Sequence, residues 1–176
     1  MEWVDRLVTA TGWDSAPGDP DWAATESSLG TPLPADFKEL SSRFAERGAF
    51  CDHVMLLESG ADPDSLGGNH AGLLGSVRAN PDNLAVYRPY PLFGTASGEA
   101  GLLQWGYSLI EDEYYWLADP GKDPALWTVV AREDPLEPFH AFDMPATEFL
   151  HRVLTDRDFR PFTIADTIER PYFQEY

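Results

Sequence analysis

Three observations on the 176-residue chain predict an α+β fold: an antiparallel meander sheet with helices packed at its N-terminal side and one closing C-terminal helix. Apolar residues recur at helical spacing as far as Gly48. Between residues 102 and 142 the period changes to short apolar runs divided by turn-like segments, and helical spacing returns after Pro145. With no internal repeat and no low-complexity tract, residues 1–176 are expected to form a single domain.

Trp3, Val4, Leu7 and Val8 fall on one face of a first helix that Gly12 is placed to stop. Residues 12–21, rich in Pro, Gly, Asp and Ser, read as a loop. Asp21 is a suitable N-cap for a second short helix through Trp22, Glu26 and Leu29, closed by Gly30. Pro32 and Pro34 bar a smooth continuation. Pro34 suits the first turn of a third helix, which carries Phe37, Leu40 and Phe44 on one face and is expected to end at Gly48. Residues 54–57 form a short apolar run suited to a buried strand, whereas residues 59–83, dense in Gly, Asp, Asn and Pro, read as mostly irregular. Four strands are expected at 102–107, 114–117, 127–131 and 139–142, and strands so spaced, with no helix between them, most simply pair antiparallel. The closing helix buries Phe149, Leu150, Val153 and Leu154. After Pro161 the tail ends in Pro171, Tyr172, Phe173 and Tyr176, aromatics that favour docking over disorder.

Thirty acidic residues against twelve basic ones give a formal charge of −18, yet a composition 43 % hydrophobic and 13 % aromatic is that of a folded chain. Cys51 stands alone and can form no intrachain disulfide. No apolar run approaches the roughly 20 residues that cross a bilayer, and Glu2, Asp5 and Arg6 interrupt the segment where a signal peptide would be apolar. A cytoplasmic protein is expected. Its charge is repelled by nucleic acid and by anionic lipid, so neither is an expected partner, and it attracts basic macromolecules. The excess is least compensated in residues 49–119, where ten acids less two bases leave −8.

Candidate chemistry is sparse. Cys51 and His53 would share a face of a strand as nucleophile and base, but no third group orients them. The glycine-rich stretch 67–75 reads as a flexible loop; it lacks both phosphate-binding glycine patterns and meets no cation before Arg78. The pairs Asp62/Asp64 and Asp156/Asp158 lack the glycine and distal glutamate of a calcium loop, and His70, His140 and His151 form no helical metal pair. Neither a metal nor a cofactor is expected. More informative is Glu111-Asp112-Glu113 at a hairpin tip before Tyr114, Tyr115 and Trp116: acids beside exposed aromatics suit a basic partner, although alternation along a strand sets Tyr115 opposite Tyr114 and Trp116.

The stretch Trp22, Glu26, Leu29-Gly30, Leu33-Pro34 and Asp36-Phe37-Lys38 resembles the opening signature of the SUKH superfamily, the Smi/Knr-like domains. The likeness continues through Gly94, Gly98 and Trp105 and through the closing strands and the Phe149-Leu150 helix, covering residues 20–155. Two departures stand out. Thr25 precedes the glutamate where an apolar residue is usual, and residues 59–93 form a longer insert than a minimal domain has. The resemblance implies a non-catalytic immunity protein, bound to a basic bacterial toxin domain such as a nuclease or deaminase. Its alternative is a regulatory or scaffold module of the Smi/Knr type; a monomer is the default. On this view the motif residues are structural, and the candidate contacts are Glu58, Asp62, Asp64, Glu99, Glu111, Asp112, Glu113, Tyr114 and Tyr115.

Overall fold

The computed structural model describes residues 2–44 and 47–176. The first helix, α1 (Glu2–Thr11), ends where the Gly12 amide, at φ 66°, bonds back to the Val8 carbonyl. In α2 (Trp22–Leu29), Asp21 caps the Ala24 amide and Gly30 closes the helix at φ 70°. Pro34 then stands just outside α3 (Ala35–Arg43). This helix stops short of Gly48, its expected end, because Gly48 opens a strand. A Cβ at position 48 would lie 2.3 Å from the Gln174 carbonyl oxygen, so that glycine serves a close strand approach and not a helix end.

Seven strands form one antiparallel sheet: β1 (Gly48–Phe50), β2 (Val54–Leu56), β3 (Gly101–Ser108), β4 (Glu113–Ala118), β5 (Thr128–Arg132), β6 (His140–Phe142) and β7 (Phe173–Glu175). Their order, β6-β5-β4-β3-β2-β1-β7, is the expected meander with the tail returning to its far edge. Phe173 docks there in a ring cluster with Trp13, Phe44 and Phe50, at centroid distances of 4.8 to 5.0 Å. Two more helices follow the last meander strand, α5 (Ala146–Thr155) and the short α6 (Ile164–Thr167), if α4 (Leu66–Ala79) is counted before β3.

Both faces of the sheet are covered. On one, Leu103, Trp105, Tyr114, Trp116 and Val129 pack with Phe37 of α3 and Phe149 of α5; the Phe37 ring lies 4.7 Å from Trp116 and 6.1 Å from Trp105. On the other, Leu102, Tyr115 and Val130 pack under Val77 of α4 and Leu92. The stretch 59–83 is therefore not irregular: most of it is α4 and the start of a 3-10 helix, Pro81–Tyr87. Ser65 caps α4 by accepting from the Gly68 amide at 3.3 Å. Gly67 and Gly68 are not loop residues but contact points. A Cβ on either would come within 2.5 Å of the Gly60 oxygen or 1.9 Å of the Asp62 oxygen.

Candidate functional site

The signature residues hold the N-terminal helices together. Glu26 Oε1 accepts from the Leu33 amide at 2.8 Å and from Lys38 Nζ at 2.7 Å, joining the end of α2 to the start of α3. Burial acts to raise its pKa, but the Lys38 ammonium and the Leu33 amide outweigh it and hold the carboxyl low. Asp36 Oδ2 accepts from Thr147 Oγ1 at 2.5 Å, fastening α3 to α5. Trp22 meets the Phe37 ring at 5.9 Å, Leu33 is buried, and Leu29 packs at the edge of the same core as Trp105. Thr25 now has a reason. Fully buried, it accepts the Gly60 amide at 2.8 Å through its hydroxyl, and Ser28 of the same helix lies under Gly67. The two departures from the SUKH-like pattern are thus in contact: the unusual hydroxyl anchors the long insert.

Of the candidate contacts, Glu58, Asp62 and Asp64 come together in the lining of a cleft of about 260 Å³ between α3, β1, β2 and the tail. Met55, Tyr107, Phe173 and Tyr176 wall it, and Arg47 is the one Lys or Arg among its described lining residues. Burial raises the Tyr107 pKa, and the nearby Asp64 and Glu58 charges raise it further. Sequence reading overlooked Tyr107 and Tyr176 as site residues. Strand pairing of Met55 with Tyr107 and a bond from the Tyr176 amide to the Arg47 carbonyl bring them in, and no local pattern marks either contact.

The remaining candidates are scattered or buried. Glu99 is exposed in the loop before β3, and Glu111 is exposed in the β3–β4 turn at φ 79°. Glu113 is partly buried and binds Arg132 Nε at 2.5 Å. Asp112, Tyr114 and Tyr115 are not surface residues. Asp112 is 0 % exposed, with Oδ2 accepting from Ser108 Oγ at 2.7 Å and from the Tyr114 hydroxyl at 3.2 Å. Burial pushes its carboxyl up against those two hydrogen bonds, which lower it. Tyr114 and Tyr115 do face opposite ways, as strand alternation requires, but helices cover both sides of the sheet.

Nor do Cys51 and His53 share a strand face. Cys51 and Asp52 turn the chain between β1 and β2 at φ 55° and 61°. The thiol is buried 3.8 Å from the Tyr172 carbonyl, and burial raises its pKa, the reverse of thiolate activation. Among the described residues no group of three or more His, Cys, Asp or Glu is placed to hold a metal ion, and no helix is long and apolar enough to cross a membrane. No family model, curated protein or solved structure matches the chain.

Proposed function

We propose that this chain is a non-catalytic immunity protein of the SUKH-like kind, which occupies a basic toxin domain in the cytoplasm and blocks it by acidic occlusion. The observation that carries the reading is the cleft: Glu58, Asp62 and Asp64 gather there beside Tyr107 and Tyr176, three carboxylates to one arginine, on a chain of charge −18. Carboxylates against aromatic walls receive Lys and Arg side chains, and the wider negative field speeds encounter with a basic surface.

The test is association with a toxin domain encoded beside this chain, followed from about 0.05 to 0.5 M NaCl, a range in which the Debye length falls to less than half. The association rate is expected to drop tenfold or more, on the order of what steering contributes. The triple variant E58Q/D62N/D64N is expected to associate slowly even at low salt. Salt-insensitive binding by both proteins would defeat acidic steering and favour the regulatory or scaffold alternative.

A further inference from the structure

The meander sends the turns at 51–53, 109–112 and 133–139 to one end of the sheet, where the chain also enters β7 at Tyr172. Seven strands at about 4.8 Å spacing make this row roughly 30 Å long. Hydrogen bonds join its parts. The Tyr172 hydroxyl donates to Asp52 at 2.5 Å, and the Leu109 amide donates to the His53 carbonyl at 3.0 Å. Arg132 donates to the carbonyls of Val86 and Pro135 at 2.7 and 2.8 Å, which brings Val86 to the third turn.

Seven large hydrophobic side chains are exposed among the described residues, and five of them stand along this row: Val86, Leu109, Ile110, Leu136 and Tyr172. Leu136 is 91 % exposed and Leu109 58 %. Such a concentration at one end differs from the scattered apolar exposure of an ordinary surface. The turns that carry these side chains are fixed from beneath. Ser108 Oγ accepts from the amides of Ile110 and Asp112 at 3.3 and 3.0 Å while donating to the buried Asp112 carboxylate. Asp134 accepts from the Leu136 amide at 2.7 Å. Apolar groups held in this way lose little conformational freedom when a partner covers them.

Charge identifies the partner. Asp52, Glu111, Glu133, Asp134 and Glu137 surround the apolar tips, and none is in an ion pair among the described residues. Arg132 is buried and neutralised by Glu113, leaving the exposed Arg88 and Arg170 near the two extremes of the row. A second copy of the chain would bring the carboxylates of Asp52, Glu111, Glu133, Asp134 and Glu137 against their own equivalents and be repelled. We infer that this end of the sheet seats a protein face with an apolar centre and a Lys/Arg rim. The inference rests on the basic-partner reading above and adds to the acidic cleft an apolar anchor, since carboxylates govern encounter rate and a desolvated apolar centre governs residence.

The probe is the synthetic peptide Arg-Lys-Leu-Phe-Lys-Arg, titrated into the ¹⁵N-labelled full chain with amide shifts followed by NMR. Shifts are expected at residues 52–53, 109–111 and 133–137. L109S/L136S in the protein, or Ser-Ser in place of Leu-Phe in the peptide, is expected to weaken binding about tenfold, the effect of one exposed leucine losing its cover. Both substituted leucines are exposed, so folding is retained. Shifts confined to Glu58, Asp62 and Asp64, with affinity unchanged in L109S/L136S, overturn the turn-end surface and leave the basic-partner reading standing. Failure of both peptides to bind overturns the two together. Dimerisation of the chain alone in sedimentation, abolished by L109S/L136S, overturns the basic partner in favour of a second copy.

Discussion

On one face of the sheet α3 and α5 deliver interlocking rings: Phe37 against Trp105 and Trp116, Phe149 against Tyr114 and Phe142. On the other, α4 and the segment after it place two buried side chains, Val77 and Leu92, and a fringe of half-buried leucines and tyrosines over Leu102, Tyr115 and Val130. The first face is a deep aromatic core. The second is a thinner cover whose helix is joined to the rest through glycine contacts and the hydroxyls of Thr25 and Ser65. Depth of burial is expected to separate them energetically. F37A removes a fully buried ring and should cost about 3–5 kcal/mol, against about 1–2 kcal/mol for V77A. Urea unfolding with a common m-value measures both, and equal losses would mean that the two faces are one cooperative core of uniform density.

The same difference decided what could be read from the sequence. Helices α2 and α5 announce themselves through Asp21, Gly30 and the spacing of Phe149, Leu150 and Val153, because cap and apolar stripe are local properties. In α4 two of the four glycines, Gly67 and Gly68, are contact points and the apolar residues make no clear stripe, so composition imitates a loop. The consequence reaches the site: an irregular 59–83 leaves one side of the sheet open and Tyr114 or Tyr115 exposed, whereas the insert is the missing layer. The acids of the cleft were recognisable as acids, but their meeting with Tyr107 and Tyr176 depends on strand pairing and on the return of the tail. The apolar turns are hidden for a further reason: Leu109 and Ile110 lie beyond the strand expected at 102–107 and carry no local mark, and their exposure follows only from the Ser108–Asp112 network that folds the chain back beneath them.

The glycine contacts of the thinner face give the next largest effect. In G68A the new Cβ would overlap the Asp62 carbonyl oxygen at 1.9 Å, and backbone at that point has little freedom to retreat. A loss of about 1–3 kcal/mol is expected, as for other overpacked sites. Gly72 lies in the same helix with open space around its Cβ position, so G72A is expected to stabilise by about 0.5–1 kcal/mol through helix propensity alone. Opposite signs from one substitution within four residues would establish that α4 is bound through its first turn. Two stabilising results would show that the first turn of α4 is free to move away from residues 60–62.

The smallest effect is one of pH, and it too belongs to the insert face. His70 of α4 is buried with Nε2 3.0 Å from the Phe93 carbonyl and Nδ1 without a hydrogen-bond partner among the described residues. Burial lowers its pKa below 6.5, outweighing the carbonyl contact, so the ring stays neutral where the unfolded chain would already bind a proton. Its contribution to stability is therefore complete above pH 6.5 and declines as pH falls through that value toward the lower folded pKa. His151 on α5 is shifted the same way by burial and by Arg6, and adds a slope of the same sign. Asp112 acts oppositely and at lower pH: its raised pKa contributes stability below 3.8 that is lost as pH climbs through the folded value. The thermal midpoint should accordingly fall between about pH 7.5 and 5.5 in the parent and fall less in H70Q, because the variant has no buried ring left to charge. Identical slopes in the two proteins would place His70 in water at those pH values, and with it the first turns of α4, leaving the aromatic face as the only part of the sheet that is sealed.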